Sequence, residues 1–166
     1  MEIQLLNKIY LYKKLIPVPK ETFIKDIDEQ ISLGNLCKEV PKYQTYNDLY
    51  DKMKQKTHWK VLYKEVLNKV MGVDKNVKLH SSWANILKKD SSFADHTHDT
   101  DLTAIYYLKN KYPEFGTSVK NLIVPGEENS LLIFNAKIMH SIVNIQPELY
   151  DKTGPRYSIV FDFVCQ

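Results

Sequence analysis

Between Asp95 and Asp101 the chain crowds three aspartates and two of its five histidines into seven residues: Asp95, His96, His98, Asp99 and Asp101. Imidazole nitrogens and carboxylate oxygens are donors that a first-row dication such as Fe(II) accepts. The stretch runs into Leu102-Thr103-Ala104-Ile105-Tyr106-Tyr107-Leu108, an apolar and aromatic segment of strand type. On an extended backbone His96 and His98, two positions apart, point to the same side. A metal needs a further donor from elsewhere, and His140, within Ile138-Met139-His140-Ser141-Ile142-Val143-Asn144-Ile145, is the candidate. Arg156 and Ser158 follow on a third extended segment and share one of its faces. A guanidinium grips a carboxylate through two parallel hydrogen bonds, and a neighbouring hydroxyl adds a donor. The chemistry expected is a metal centre beside an anion-binding Arg/Ser pair. Closed zinc and redox motifs are excluded, because Cys37 and Cys165 lie far apart and neither belongs to a CxxC.

The elements that position these groups fall into two halves. Residues 1–76 are expected to be mainly helical, with an opening strand before Pro17 and Pro19, which lack the N–H a ladder needs. Phe23, Ile27 and Ile31 keep the helix period over Glu21 to Leu33, and Gly34-Asn35 ends that helix. A loop around Pro41 follows. Thr45 to Met71 reads as helix, in one or two pieces, with Leu49, Met53, Trp59, Leu62, Val66 and Val70 on its apolar face and Gly72 as its end. Lysines take the opposite, solvated face.

After Asn76 the period changes from 3.6 to 2, and residues 77–166 read as strand and turn. Val77 to Leu87 is expected to carry Leu79, Ser81, Trp83 and Asn85 on one face and His80, Ser82, Ala84 and Ile86 on the other. Lys88 to Ser92 is a polar turn. Leu102–Leu108, Asn121–Val124, Ser130–Phe134, His140–Ile145 and Arg156–Val164 are the remaining strands, the last two separated by a loop with Pro147, Gly154 and Pro155. The last strand sets Arg156, Ser158, Val160 and Asp162 against Tyr157, Ile159, Phe161 and Phe163. One polar and one aromatic face suit a barrel whose lumen is a binding site and whose outer face is covered by the helices. The fold class expected is α+β: N-terminal helices packed on a C-terminal jelly roll, in one domain spanning residues 1–166.

A hydrophobic fraction of 43% and a charged fraction of 26% place the chain among globular proteins. A net charge of +3 with dispersed lysines does not demand a nucleic acid partner. No apolar run reaches the length of a membrane span, and the first residues lack a signal-peptide pattern, so the cytoplasm is the expected compartment, with reduced thiols.

The order of HxH with nearby Asp, the Ile105-Tyr106-Tyr107-Leu108 strand, a Gly turn, Leu131-Leu132-Ile133-Phe134, His140 and then Arg156-Tyr157-Ser158 resembles the Fe(II)- and 2-oxoglutarate-dependent oxygenases with a double-stranded β-helix core. The resemblance spans Lys78 to Val164. Trp83-Ala84-Asn85, His96-Thr97-His98 and Asp101-Leu102-Thr103 are also similar to motifs of small oxygenases from marine bacteria and their phages, which makes a phage-encoded protein in a host cytoplasm an expectation. The resemblance implies Fe(II), 2-oxoglutarate and O₂ as cofactor and cosubstrates, with succinate and CO₂ formed as a substrate C–H bond is hydroxylated. It implies that Arg156 and Ser158 hold the far carboxylate of 2-oxoglutarate, with Tyr107 as a further contact. Trp83 and Asn85 become candidates for the substrate or cosubstrate pocket.

Most members of that family carry HxD, whereas this chain has His98 at the acid's position. Two ligand sets follow. In the favoured one, His98, Asp101 and His140 bind the metal, with His96 ligating or just behind it and Asp99 as a lesser alternative to Asp101. In the other, three histidines bind it without a carboxylate. Rival functions on the same barrel are a cupin-like metal protein or dioxygenase that uses no 2-oxoglutarate, and a binding module without catalysis. Substrate and oligomeric state are not encoded in any motif of the chain.

Overall fold

The computed structural model describes residues 2–6, 9–36, 43–89, 91, 93–143, 148–149, 152 and 154–166. The strands are β1 (Glu2–Leu6), β2 (Ile9–Tyr12), β3 (Tyr43–Gln44), β4 (Val77–Leu87), β5 (Leu102–Lys109), β6 (Thr117–Val119), β7 (Leu122–Val124), β8 (Ser130–Asn135), β9 (His140–Ile142) and β10 (Arg156–Cys165). The helices are α1 (Lys20–Ser32), α2 (Leu49–Met53) and α3 (Thr57–Val73). A seven-stranded antiparallel sheet runs β1-β2-β8-β5-β10-β4-β3, and a three-stranded one runs β7-β6-β9.

The two faces of the large sheet bury different cores. On one face Ala84, Ile86, Ala104, Tyr106, Ile133, Tyr157, Ile159, Phe161 and Phe163 form a single cluster with the helix residues Phe23, Ile27, Leu49, Met53, Trp59, Leu62, Val66 and Val70. Each fully buried side chain of this kind contributes roughly 1.5–3 kcal/mol. On the other face Trp83, Ile105, Tyr107, Leu132, Phe134 and Val160 meet Val119 and Val124 of the small sheet. The alternation expected for β10 is therefore present, with its aromatic row under the helices.

A polar stitch joins the helices. Asp26, 5% exposed, sits on the inner face of α1. Its carboxylate accepts hydrogen bonds from Lys56 Nζ (2.6 Å), His58 Nε2 (2.7 Å) and Trp59 Nε1 (2.8 Å) at the start of α3. Burial raises the Asp26 pKa, but the donors of Lys56, Trp59 and His58 outweigh it and hold the carboxyl below its ordinary value.

Several expected boundaries shift. The opening segment is a two-strand hairpin, β1 with β2. Thr45–Asp48 is not helical; Thr45 instead bridges to Leu36, and its hydroxyl oxygen accepts a hydrogen bond from Ala84 N–H at 2.9 Å. Helix α3 runs past Gly72 to Val73, because Gly72 has no positive φ and nothing there breaks the ladder. In β4 the facing alternation slips. A bulge opposite Asp162 and Phe163 makes Ser81 pair with Asp162 but Leu79 with Phe163, so Leu79 joins the helix-side core and His80 lines the cavity described below. Strand β6 was absent from the expectation because its hairpin to β7 turns at Lys120-Asn121, both with positive φ (50° and 66°), without a glycine to signal it. The Pro41 loop, Asp90, Ser92, Asn144, Ile145, Pro147 and Cys37 lie outside the described residues. Among the described residues no helix is long and apolar enough to cross a membrane.

Two glycines differ in what an added methyl would meet. A Cβ on Gly126 would stand 2.8 Å and 2.9 Å from two ring carbons of Tyr107, whereas one on Gly72 meets nothing within 4 Å. Gly126→Ala is expected to lose about 1–3 kcal/mol in urea denaturation through overpacking against Tyr107. Gly72→Ala in the helix is expected to gain about 0.5–1 kcal/mol.

Candidate metal centre and adjoining cavity

Backbone pairing brings the histidines together. His96 and His140 exchange both main-chain hydrogen bonds, His96 N–H to His140 O at 2.9 Å and His140 N–H to His96 O at 3.0 Å. Directly opposed residues of an antiparallel pair present their side chains to the same face. His98, two residues on, keeps that face and is anchored by its N–H to Ala136 O at 2.9 Å. The three rings consequently pack with centroids 4.4, 4.8 and 5.1 Å apart. One ligand nitrogen from each of His96, His98 and His140 lies within 4.8 Å of the others.

Hydrogen bonds fix which nitrogen faces the centre. His96 Nδ1 donates to Ala94 O and His140 Nδ1 to Ile138 O, both at 2.8 Å. His98 Nδ1 lies 2.8 Å from Asp162 Oδ2 and 3.1 Å from Oδ1. Donation at Nδ1 puts the lone pair of each neutral ring at Nε2, which is the form that binds a metal. Burial pushes His140 down from 6.5 to about 4, with the neighbouring His96 and His98 adding to the shift against the Ile138 carbonyl and Asp162. It is therefore neutral at pH 7. The donor set fits a first-row dication such as Fe(II): three imidazoles on one side, with the cavity opposite left for other ligands.

The same burial has a consequence for stability. His140 is easier to protonate unfolded, near 6.5, than folded, near 4, so its contribution is complete above pH 6.5 and is lost as the pH falls towards 4. On the order of 3 kcal/mol is expected to disappear over that window in the metal-free protein. Urea titrations of wild type and His140→Gln at several pH values check this, the variant showing a flatter profile.

Asp101 and Asp99 do not join the cluster. The Asp101 carboxylate accepts the Cys165 N–H at 2.8 Å, and its own N–H and C=O pair with Phe163 and Ala136. The short chain between His98 and β5 thus spends Asp101 on fixing the end of β10. Asp99 is exposed at the cavity rim, 3.7 Å from Lys137 Nζ. Among the described residues, the three histidines are thus brought together without a carboxylate from Asp99 or Asp101.

A cavity of about 340 Å³ opens over the histidines. Its walls include Trp83, Ile105 and Val160, and Trp83 sets its ring 5.2 Å from that of His98. Asn85, Thr117, Gln44, Asn47, His80 and Ser81 also line it, Gln44 being the β3 partner of Asn85. Arg156, Ser158 and Tyr107 are all buried but stand outside this lining. Ser158 pairs with Asn85 on one side and Tyr107 on the other, so the three share a face. The Tyr107 hydroxyl is 2.6 Å from Thr117 Oγ1, and the Arg156 guanidinium lies 5.3 Å from the Tyr107 ring centroid. Arg156 Nη1 donates to the carbonyls of Phe115 and Gly116, the latter at 3.1 Å. Burial pushes the Tyr107 pKa up, opposed by Arg156 and the Thr117 hydrogen bond.

Sequence reasoning named Trp83, Asn85, His96, His98, His140, Tyr107, Arg156 and Ser158, all of which lie at or beside the cavity. It missed Asp162 and Thr117 as parts of the site. For Asp162 a signal existed, since it shares the β10 face with Arg156 and Ser158. Nothing comparable marked Thr117, on a strand that was not foreseen.

No protein-family model matches the chain, and no curated protein matches it. Solved structures do. HygX from Streptomyces hygroscopicus with nickel and 2-oxoglutarate bound is 12% identical with a TM-score of 0.66, over 96% of this chain and 83% of its own. The viral collagen prolyl hydroxylase vCPH from Paramecium Bursaria Chlorella virus-1, as its 2-oxoglutarate complex, is 12% identical with a TM-score of 0.60, over 96% of each chain. The non-haem α-ketoglutarate-dependent carbocyclase SnoK from nogalamycin biosynthesis is 10% identical with a TM-score of 0.68, over 94% of this chain and 79% of its own. The chain therefore has the fold of these 2-oxoglutarate-binding proteins, the fold implied by the resemblance of its histidine and arginine motifs to the Fe(II)- and 2-oxoglutarate-dependent oxygenases.

Proposed function

We propose that the protein is a non-haem Fe(II)- and 2-oxoglutarate-dependent oxygenase that hydroxylates an as yet unidentified substrate, releasing succinate and CO₂. The observation that carries this reading is the convergence of His96, His98 and His140 in the lining of a cavity, in a fold shared with 2-oxoglutarate-binding proteins. In this reading residues 1–166 form one domain, with the helices as outer cover of a double-stranded β-helix.

His96, His98 and His140 would hold the ion through Nε2. When bound, Fe(II) supplies the redox chemistry that couples oxidative decarboxylation of 2-oxoglutarate by O₂ to oxidation of the substrate. Arg156 fixes the negative end of the cosubstrate, with Ser158, Tyr107 and Thr117 as hydrogen-bonding neighbours on the same wall. Trp83, Ile105 and Val160 keep water from the reacting side of the ion. Asn85 Oδ1, shielded and without a hydrogen-bond partner among the described residues, would accept a donor from a bound molecule.

One observation favours a second reading. Arg156 is engaged by the Phe115 and Gly116 carbonyls, and it does not line the cavity. A cupin-like metal protein that uses no 2-oxoglutarate would place Arg156 so for structure alone, as would a binding module without catalysis. Succinate production decides between them. The oxygenase is expected to form succinate from 2-oxoglutarate only with Fe(II) and O₂ present, even without its substrate at a slow rate. A protein that binds Fe(II) tightly but neither binds nor turns over 2-oxoglutarate would contradict the proposal.

A further inference from the structure

We infer that Asp162 is a positioning residue of the metal centre: a carboxylate held behind His98 that supplies the negative charge the three-imidazole ligand set lacks. The inference rests on the metal-binding part of the proposed function. Three neutral imidazoles leave a dication with its charge uncompensated in a cavity walled by Trp83, Ile105 and Val160. Burying such a charge without a counter-charge is costly.

Asp162 has the complementary problem. It is 3% exposed, and among the described residues no lysine or arginine forms an ion pair with it. Its carboxylate meets His98 Nδ1 at 2.8 Å and the Thr103 hydroxyl, which donates to Oδ1, at 2.8 Å. The buried acid and the buried ion answer one another through the His98 ring. A carboxylate on Nδ1–H locks the tautomer, fixes the ring plane and makes Nε2 a more basic donor.

The strand register makes this placement rigid. Asp162 lies on β10 between Ser81 of β4 and Thr103 of β5, inside the seven-stranded sheet. The β4 bulge begins at that step, and such irregularities re-aim side chains beside sites. A hydroxyl partner alone would not call for an acid here, since Thr103 could bond to an amide equally well.

Asp162→Asn isolates the charge. Its amide oxygen can still accept from His98 Nδ1–H, and its NH₂ can donate to Thr103 Oγ1. Co(II) affinity, read from the visible absorption of the bound ion, is expected to fall by about 10–100-fold. The Fe(III)/Fe(II) midpoint potential is expected to rise, because the oxidised ion loses more from the missing charge. Thr103→Val removes a hydrogen bond from the same carboxylate and the 3.1 Å contact of its hydroxyl with His98 Nδ1, but it keeps the charge and the 2.8 Å Asp162–His98 contact, so its Co(II) affinity and potential should stay near wild type. Wild-type affinity and potential in Asp162→Asn, or equal losses in both variants, would overturn the inference. Nitrogen-15 NMR of the Zn(II)-loaded wild type tests it without any substitution: His98 should be protonated at Nδ1 and metal-bound at Nε2, and metal at Nδ1 overturns it. Failure of the wild type to bind any ion would sink the metal centre itself, a separate failure from an indifferent Asp162.

Discussion

Replacing His140 by alanine is expected to weaken Co(II) or Fe(II) binding beyond the roughly 10–100-fold that loss of an outer hydrogen-bonding partner costs. His140 is one of only three imidazoles in the cluster, and it is the most buried of them. With two donors left, the ion loses its facial hold, and succinate formation should fall to background. The fold should persist, since the His96–His140 pairing runs through main-chain atoms that alanine retains. Far-ultraviolet circular dichroism with a metal titration separates the two effects. Asp101→Asn is the informative companion. Its carboxylate serves Cys165 N–H, a bond an amide oxygen can also accept, so metal affinity should be unchanged. A large loss in Asp101→Asn, with none in His96→Ala, would restore the carboxylate ligand set.

Arg156→Ala is expected to abolish measurable 2-oxoglutarate binding to the Mn(II)-loaded protein under anaerobic conditions. Truncating one partner of a buried charged pair costs about 2–5 kcal/mol, which is more than tenfold in affinity. The variant also strips the donor from two carbonyls, Phe115 O and Gly116 O, so a stability loss of about 1–3 kcal/mol should accompany it. Arg156→Lys should not rescue binding. An ammonium cannot serve the two carbonyls, lie against the Tyr107 ring and hold a carboxylate together as a planar guanidinium can. Unchanged 2-oxoglutarate affinity in both variants would leave Arg156 a purely structural residue and favour the cupin-like reading. Gly116 belongs to the same device, because a Cβ there would sit 1.8 Å from Val124 O.

What could be read from the sequence, and what could not, follows the range of the interactions. The period-2 rows of β10 and the i, i+2 relation of His96 and His98 are local properties, and they hold in three dimensions. The helical stripes of Phe23–Ile27 and Trp59–Leu62–Val66–Val70 hold for the same reason, each set facing one core. The pairing of His96 with His140 was legible only as a coincidence of residue types, since no local pattern encodes which strands meet. Asp101 illustrates the limit: its type and proximity suited a ligand, but a non-local bond to the end of β10 claims it. The β4 bulge is another case, because one extra residue inverts the facing of Val77–His80 without a glycine or proline to announce it. Asp162 was visible on the right face, yet its partner His98 stands on a different segment.

A crystal structure of the protein soaked anaerobically with Mn(II) tests the central claim most directly, using anomalous scattering to locate the ion. One ion per chain is expected, coordinated by Nε2 of His96, His98 and His140, with Asp101 still on Cys165 N–H. An ion held by Asp101 or Asp99, or no ion at the three imidazoles at saturating Mn(II), would contradict it.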